Sequence, residues 1–147
     1  FNAEEAGLDG ARHYVDYPVR PIEDHTLMIN FDMIGRVSNK KVQILGSQTG
    51  EGLKEWLTEL DAASPLELNA HDRLNLGSDH IPFIGKGVPS LFAIIDPLHA
   101  DYHTPGDVAW KINRVDAVHV VDLFEAVLQG GALIPERHAF IDPRASR

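Results

Sequence analysis

From Thr26 to Ile34 the sequence is apolar at almost every position, interrupted only by Asn30 and Asp32. A run of this density suits a strand buried on both faces, as in parallel sheets. The constraint is chemical as well as topological, because a carboxylate inside such a strand is costly to bury unless a cation or hydrogen-bond donors meet it. Asp32 is therefore a candidate functional residue before anything else is known about the chain.

The remaining periodicities place helices and further strands around this one. Leu8, Ala11 and Val15 predict a short amphipathic helix from about Gly7 to Asp16, halted before Pro18. Val42 to Leu45 reads as a short strand. Leu53, Trp56, Leu57 and Leu60 follow as the apolar stripe of a helix whose polar face carries Lys54, Glu55 and Glu59. Leu66 to Leu68 suggests another short strand. Ser78 suits the N-cap of a helix running through Ile84 and closed by Gly85 and Gly87, and Pro89 to Ile95 reads as a buried strand. Asn113, with Asp116 three residues on, opens a last helix that should bury Ala117, Val120, Val121, Phe124 and Leu128 and stop at Gly130-Gly131. This alternation predicts an α/β fold with a largely parallel sheet covered by helices on both faces.

At 147 residues the chain suffices for one core, so residues 1–147 are expected to form one domain, with a loosely held polar tail over about residues 135–147. Its first five residues read as the end of a strand and no initiator Met precedes them, so a longer parent chain is expected. The formal charge of −9 comes without a basic cluster, which argues against a nucleic-acid partner. No apolar stretch reaches the length of a membrane-spanning helix. With no cysteine, thiolate zinc sites and cysteine nucleophiles are excluded, leaving carboxylates and the eight histidines to carry any metal chemistry.

Sheets of this kind place functional groups at the carboxyl ends of their strands. Glu4 and Glu5 after Phe1, Asp32 at the end of Leu27 to Phe31, and His103 in the loop after Leu91 to Ile95 all fall there. Together they would make a carboxylate and imidazole site suited to zinc or a similar ion, one glutamate binding metal while its neighbour acts as a base. Each also has a plainer reading. An acidic pair ahead of a helix complements the helix dipole, and a histidine beside Pro105 can be an ordinary loop residue. His13, His71, His80 and His99 read as packing, surface or pocket-lining residues.

Five ordered blocks carry a resemblance. They are Asn2-Ala3-Glu4-Glu5-Ala6-Gly7-Leu8-Asp9-Gly10-Ala11, Ile29-Asn30-Phe31-Asp32-Met33-Ile34-Gly35, Ser78-Asp79-His80-Ile81-Pro82-Phe83, Gly87-Val88-Pro89, and Tyr102-His103-Thr104-Pro105 with Asp107. From Phe1 to about Leu128 the chain resembles the zinc aminopeptidases of family M28. The resemblance implies a three-layer α/β sandwich of the zinc-exopeptidase type with a mixed, largely parallel sheet, here truncated at its N-terminus.

The resemblance also implies roles. Glu4 would be the general base for the attacking water, and Glu5 a zinc ligand sharing its metal with His103. Asp32 would be a ligand of a companion zinc, Asp79 an acid near the reaction centre, and Tyr102 part of the pocket wall. The reaction implied is hydrolysis of the first peptide bond of a peptide with a free N-terminus. Two zinc ions serve a complete family site, but its further His and bridging Asp lie upstream of the Glu-Glu block, so the first shell present here is partial. The strands expected upstream would leave an open sheet edge through which the chain could associate. Many members of the family are exported, which implies a periplasmic or secreted location.

Two alternatives share these residues. Glutaminyl cyclases resemble the chain through Asp79 to Phe83, Gly87 to Pro89 and His103-Thr104, but the compact Glu4-Glu5 block, Asp32-Met33-Ile34-Gly35 and Tyr102 favour the peptidase. The same fold also serves as a non-catalytic binding module in relatives whose metal residues are degraded, whereas Glu4, Glu5, Asp32 and His103 all persist here.

Overall fold

In a computed structural model the described residues are 1–71, 76–133 and 137–145. In chain order they form α1 (Asp9–Asp16), β1 (Met28–Asp32), β2 (Lys41–Leu45), α2 (Leu53–Asp61), β3 (Glu67–His71), α3 (His80–Gly85), β4 (Ser90–Ile95) and α4 (Arg114–Leu133). The strands lie side by side in the order β1-β4-β2-β3. β1 runs parallel to β4 and β2 parallel to β3, while β2 and β4 are antiparallel, so the sheet is mixed.

Helices cover both faces, and β1 shows how. Successive side chains of a strand alternate between faces, so Met28 and Phe31 point opposite ways. Met28 packs with Ala11, Val15, Phe83 and Val88, a cluster built on α1 and α3. The ring of Phe31 meets that of Phe124 on α4 at a centroid distance of 4.6 Å. α4 and α2 then close the larger core over β2 and β4, through Leu53, Leu57, Val120, Leu123, Phe124 and Val127. This is the three-layer arrangement that the sequence predicts.

Several details differ from the sequence reading. The strand buried throughout is β4, every residue of which is buried, rather than β1. β1 lies at the edge of the described sheet, and Phe31 remains 42% exposed. Residues 1–3 are irregular rather than strand-like and run into a turn. On α4 the inward stripe is Val120, Leu123, Phe124 and Val127, whereas Val121 and Leu128 are exposed. The helix also continues through Gly130-Gly131 to Leu133. The reason is packing, because a Cβ on Gly130 would stand 2.8 Å from Cζ2 of Trp56 on α2. The glycines form a notch for the indole rather than a stop.

Asn113 caps α4 as expected: its side-chain oxygen accepts from the Asp116 amide at 3.3 Å and its side-chain amide donates to Asp116 Oδ2 at 2.9 Å. The start of the polar tail, residues 134–136, lies outside the described residues, as do 146–147. Residues 137–145 are tied down rather than loose. Glu51 N donates to Ala139 O and Ile141 N to Thr49 O, both at 2.9 Å, and Arg137 Nη1 donates to Glu23 O at 2.9 Å. No helix among the described residues is long and apolar enough to cross a membrane.

Candidate metal-binding cleft

The carboxyl ends of the parallel pair β1 and β4 open into a cleft of about 560 Å³. Glu4, Glu5, Asp32, Asp79, Tyr102 and His103, the six residues singled out in the sequence, all line it. Four separate pieces of local structure deliver them: the turn before α1, the end of β1, the start of α3, where Asp79 stands, and the loop after β4.

Glu4 and Glu5 stand in the turn before α1. Glu4 O accepts from the amides of Gly7 and Leu8 at 3.1 and 2.9 Å, and Gly10 N donates to Asn2 O at 2.9 Å. The turn requires a glycine at position 10, since a Cβ there would lie 2.3 Å from the backbone oxygen of Asn2. Asp32 closes β1 and accepts a hydrogen bond from Ser78 Oγ at 3.2 Å. Ser78 is thus spent on the strand carboxylate, and α3 begins without a side-chain cap. His103 lies in the loop after β4 with a left-handed backbone, φ 55, its ring stacked on that of Tyr102 at 3.9 Å.

The cleft gathers negative charge. Burial, followed by the charges of Glu5, Asp32 and Asp79, pushes the Glu4 carboxyl above its ordinary value, against a smaller opposing effect of Ser78. Asp32 is likewise raised, first by burial and then by Glu5 and Asp79, with Ser78 and His103 opposing. Asp79 is buried; its Oδ2 lies 3.3 Å from the amino nitrogen of Phe1, and its Oδ1 has no partner among the described residues. The side-chain amide of Asn30, also lining the cleft, is buried and unpartnered too. The carboxylates held together, with Asp79 Oδ1 unmet, are a combination that a cation would relieve, whereas the Asn30 nitrogen is a donor left for an acceptor.

The chemistry of the donor set fits zinc in part. Glu5 Oε1 lies 3.0 Å from His103 Nε2. That is a direct contact, shorter than the roughly 3.3–3.4 Å between two ligands of a tetrahedral zinc, so the two side chains stand close enough for a small separation to admit one ion. Among the described residues no three His, Asp or Glu side chains group closely enough to hold one ion.

His80 is fully buried, lies flat on Phe92 at 4.4 Å, and has no hydrogen-bond partner on either ring nitrogen among the described residues. Burial pushes its pKa down to about 4, which keeps the ring neutral. His99 lies near Asp107 at 3.7 Å, outside the ligand pair, and His13 stacks on Tyr17 at 5.1 Å. His71 ends β3, and its side chain lies outside the described residues. Sequence reasoning misses one polar partner: Ser78 reads as a helix cap, and its separation from Asp32 in sequence hides the contact. Asn30 is visible in sequence only as the other polar interruption of the β1 run.

This fold belongs to the class of zinc-exopeptidase-like α/β domains. BSAP, described as a zinc aminopeptidase from Bacillus subtilis, superposes with a TM-score of 0.75 at 25% identity, over 97% of this chain and 37% of that one. An aminopeptidase from Aneurinibacillus sp. strain AM-1 superposes with a TM-score of 0.66 at 29% identity, over 96% of this chain and 34% of its own. In sequence the chain is 32% identical to aminopeptidase YwaD of Bacillus subtilis (strain 168), a match that spans 87% of this chain and 30% of that protein. Residues 1–128 match peptidase family M28, and the chain belongs to that family. It spans about a third of the length of these relatives.

Proposed function

We propose that this chain is the part of an M28 aminopeptidase that carries the general base and part of the metal shell, and that the whole protein hydrolyses the N-terminal peptide bond of peptides. The observation that carries the reading is the Glu5–His103 pair, 3.0 Å apart, beside a Glu4 whose carboxyl is held above its ordinary value in a cleft shared with Asp32.

In this reading Glu5 and His103 hold one zinc and Asp32 contributes to the companion zinc. Bound zinc supplies Lewis-acid polarisation of the scissile carbonyl and makes water acidic near neutral pH. Glu4 accepts a proton from the attacking water at a carboxylate oxygen as the oxygen adds to the carbonyl carbon. It then delivers that proton to the leaving amine as the C–N bond breaks, so the base is restored. Ser78 steadies Asp32 through its 3.2 Å hydrogen bond. Tyr102, stacked on His103, forms one wall of the cleft where the first side chain of a peptide would lie.

The test is substrate choice by the full-length, zinc-loaded protein. It should release the aniline from an aminoacyl anilide with a free α-amine and leave the N-acetylated analogue intact. Cyclisation of a Gln-initiated peptide without hydrolysis would transfer the site to the glutaminyl cyclases. Turnover of neither substrate would favour a non-catalytic binding module.

A further inference from the structure

We propose that Arg36 is a positioning residue for this cleft: its guanidinium clamps Asp101 and Asp107, the carboxylates on either side of His103, and so holds the imidazole against Glu5. The inference rests on the metal-binding role proposed for Glu5 and His103.

Arg36 closes the 3-10 turn Ile34–Arg36, four positions beyond Asp32 on the same continuation of β1. From there Nη2 donates to Asp101 Oδ2 at 3.0 Å and Nη1 to Asp107 Oδ1 at 3.1 Å. The Arg36 and Asp101 side chains are 19% and 25% exposed, so that arm is partly shielded from solvent, while Asp107, at 43%, is the open one. Lys111 also reaches Asp101 Oδ2, at 2.8 Å, but it belongs to the same excursion of the chain from β4 to α4 and gives no tie to β1. Arg36 crosses from one strand's end to the other's.

The loop needs such a tie. Thr104 N donates to Asp101 O at 3.0 Å, Asp107 N to Thr104 O at 3.1 Å, and Gly106 N to Thr104 Oγ1 at 3.2 Å. These bonds fix the loop's shape. Further along the same excursion Asn113 N donates to Gly35 O at 2.8 Å and Asn113 Nδ2 to Val37 O at 2.9 Å, which ties its far end to the segment after β1, whereas Arg36 reaches the part that carries His103. Within it His103 adopts φ 55, a left-handed conformation that is unfavourable for a residue with a Cβ and persists where the surroundings impose it. A guanidinium can hold two carboxylates at once through separate nitrogens in a rigid plane, which an ammonium cannot. Because Asp32 and Arg36 share one short segment, the clamp also sets how far His103 stands from Asp32, and hence the relation between the two halves of the metal site.

The test compares the full-length wild-type protein with Arg36→Gln, Arg36→Lys and Asp107→Asn, each shown to be folded by circular dichroism. Zinc affinity is read by chelator competition and ligand geometry by the visible spectrum of the Co²⁺-substituted protein. Arg36→Gln should weaken zinc binding about tenfold or more and alter the Co²⁺ bands. Arg36→Lys, keeping the charge but not the fork, should recover only part of the affinity. Unchanged zinc affinity and Co²⁺ spectrum in folded Arg36→Gln would overturn the inference. Where that variant does not fold, Asp107→Asn decides, because it cuts one arm of the clamp at a partly exposed side chain; it should weaken zinc to a smaller degree, and no change would again overturn the inference. A wild-type protein that takes up no zinc defeats the proposed function itself, an outcome distinct from wild type and variants that bind zinc equally.

Discussion

At the scale of single residues, the titratable groups that burial shifts around this sheet divide into carboxyls pushed above their ordinary values and an imidazole pushed below its own. Glu4 and Asp32 are of the first kind, both raised by burial and by acidic neighbours. His80 is of the second. Its pKa falls to about 4 in the folded chain, against the ordinary 6.5. Above pH 6.5 the ring is neutral folded or unfolded and contributes no pH dependence. As pH falls below 6.5 the unfolded chain binds a proton that the folded chain refuses, so stability is lost progressively down to about pH 4, by about 3 kcal/mol in total. Denaturant titrations between pH 7 and pH 4 should show this loss, and His80→Gln should flatten that part of the profile; an equally steep profile in the variant would assign the loss to other groups. The sequence displayed Asp32 because a charge in an apolar run is conspicuous. It could not display His80, since the ring's burial depends on Phe92 of β4, which packs on it from a distant part of the chain.

At the scale of elements, the cleft depends on close approaches more than on the regularity of helices and strands. The turn bearing Glu4 and Glu5 leans on α1 at Gly10, where the amide donates to Asn2 O at 2.9 Å. Gly10→Ala would drive a Cβ into backbone at 2.3 Å, so the turn or the helix must shift. The expected cost is about 1–3 kcal/mol of stability, read from the denaturant midpoint, despite alanine's better helix propensity. A neutral or stabilising result would mean that the turn is looser than its hydrogen bonds indicate. Element type was legible for most of the chain, the first residues excepted: α1, α2, β2, β4 and the Asn113 cap of α4 all lie where periodicity and capping put them. The errors concern partners. Gly130-Gly131 reads as a helix stop because no local signal reveals that Trp56 occupies the notch. Val121 and Leu128 read as buried because an apolar residue near the stripe cannot be told from one beside it until the facing elements are known.

At the scale of the whole molecule, the chain matches family M28 over residues 1–128 yet spans only about a third of the length of its relatives. Among its described residues Glu5 and His103 form a close pair, Asp32 closes β1, and no three His, Asp or Glu side chains gather. The candidate site was legible as a list because its residues occur in five compact, ordered blocks. Its geometry was not, because Arg36 meets Asp101 and Asp107 across 65 and 71 positions of sequence and Ser78 meets Asp32 across 46. The central claim is that Glu4 moves the proton while Glu5, His103 and Asp32 hold metal. The most direct measurement is the zinc content and turnover of the full-length protein carrying Glu4→Gln, set beside the wild type. The account predicts unchanged zinc and a fall in kcat of about 10² to 10⁴-fold. Near-normal turnover with full zinc occupancy would contradict it.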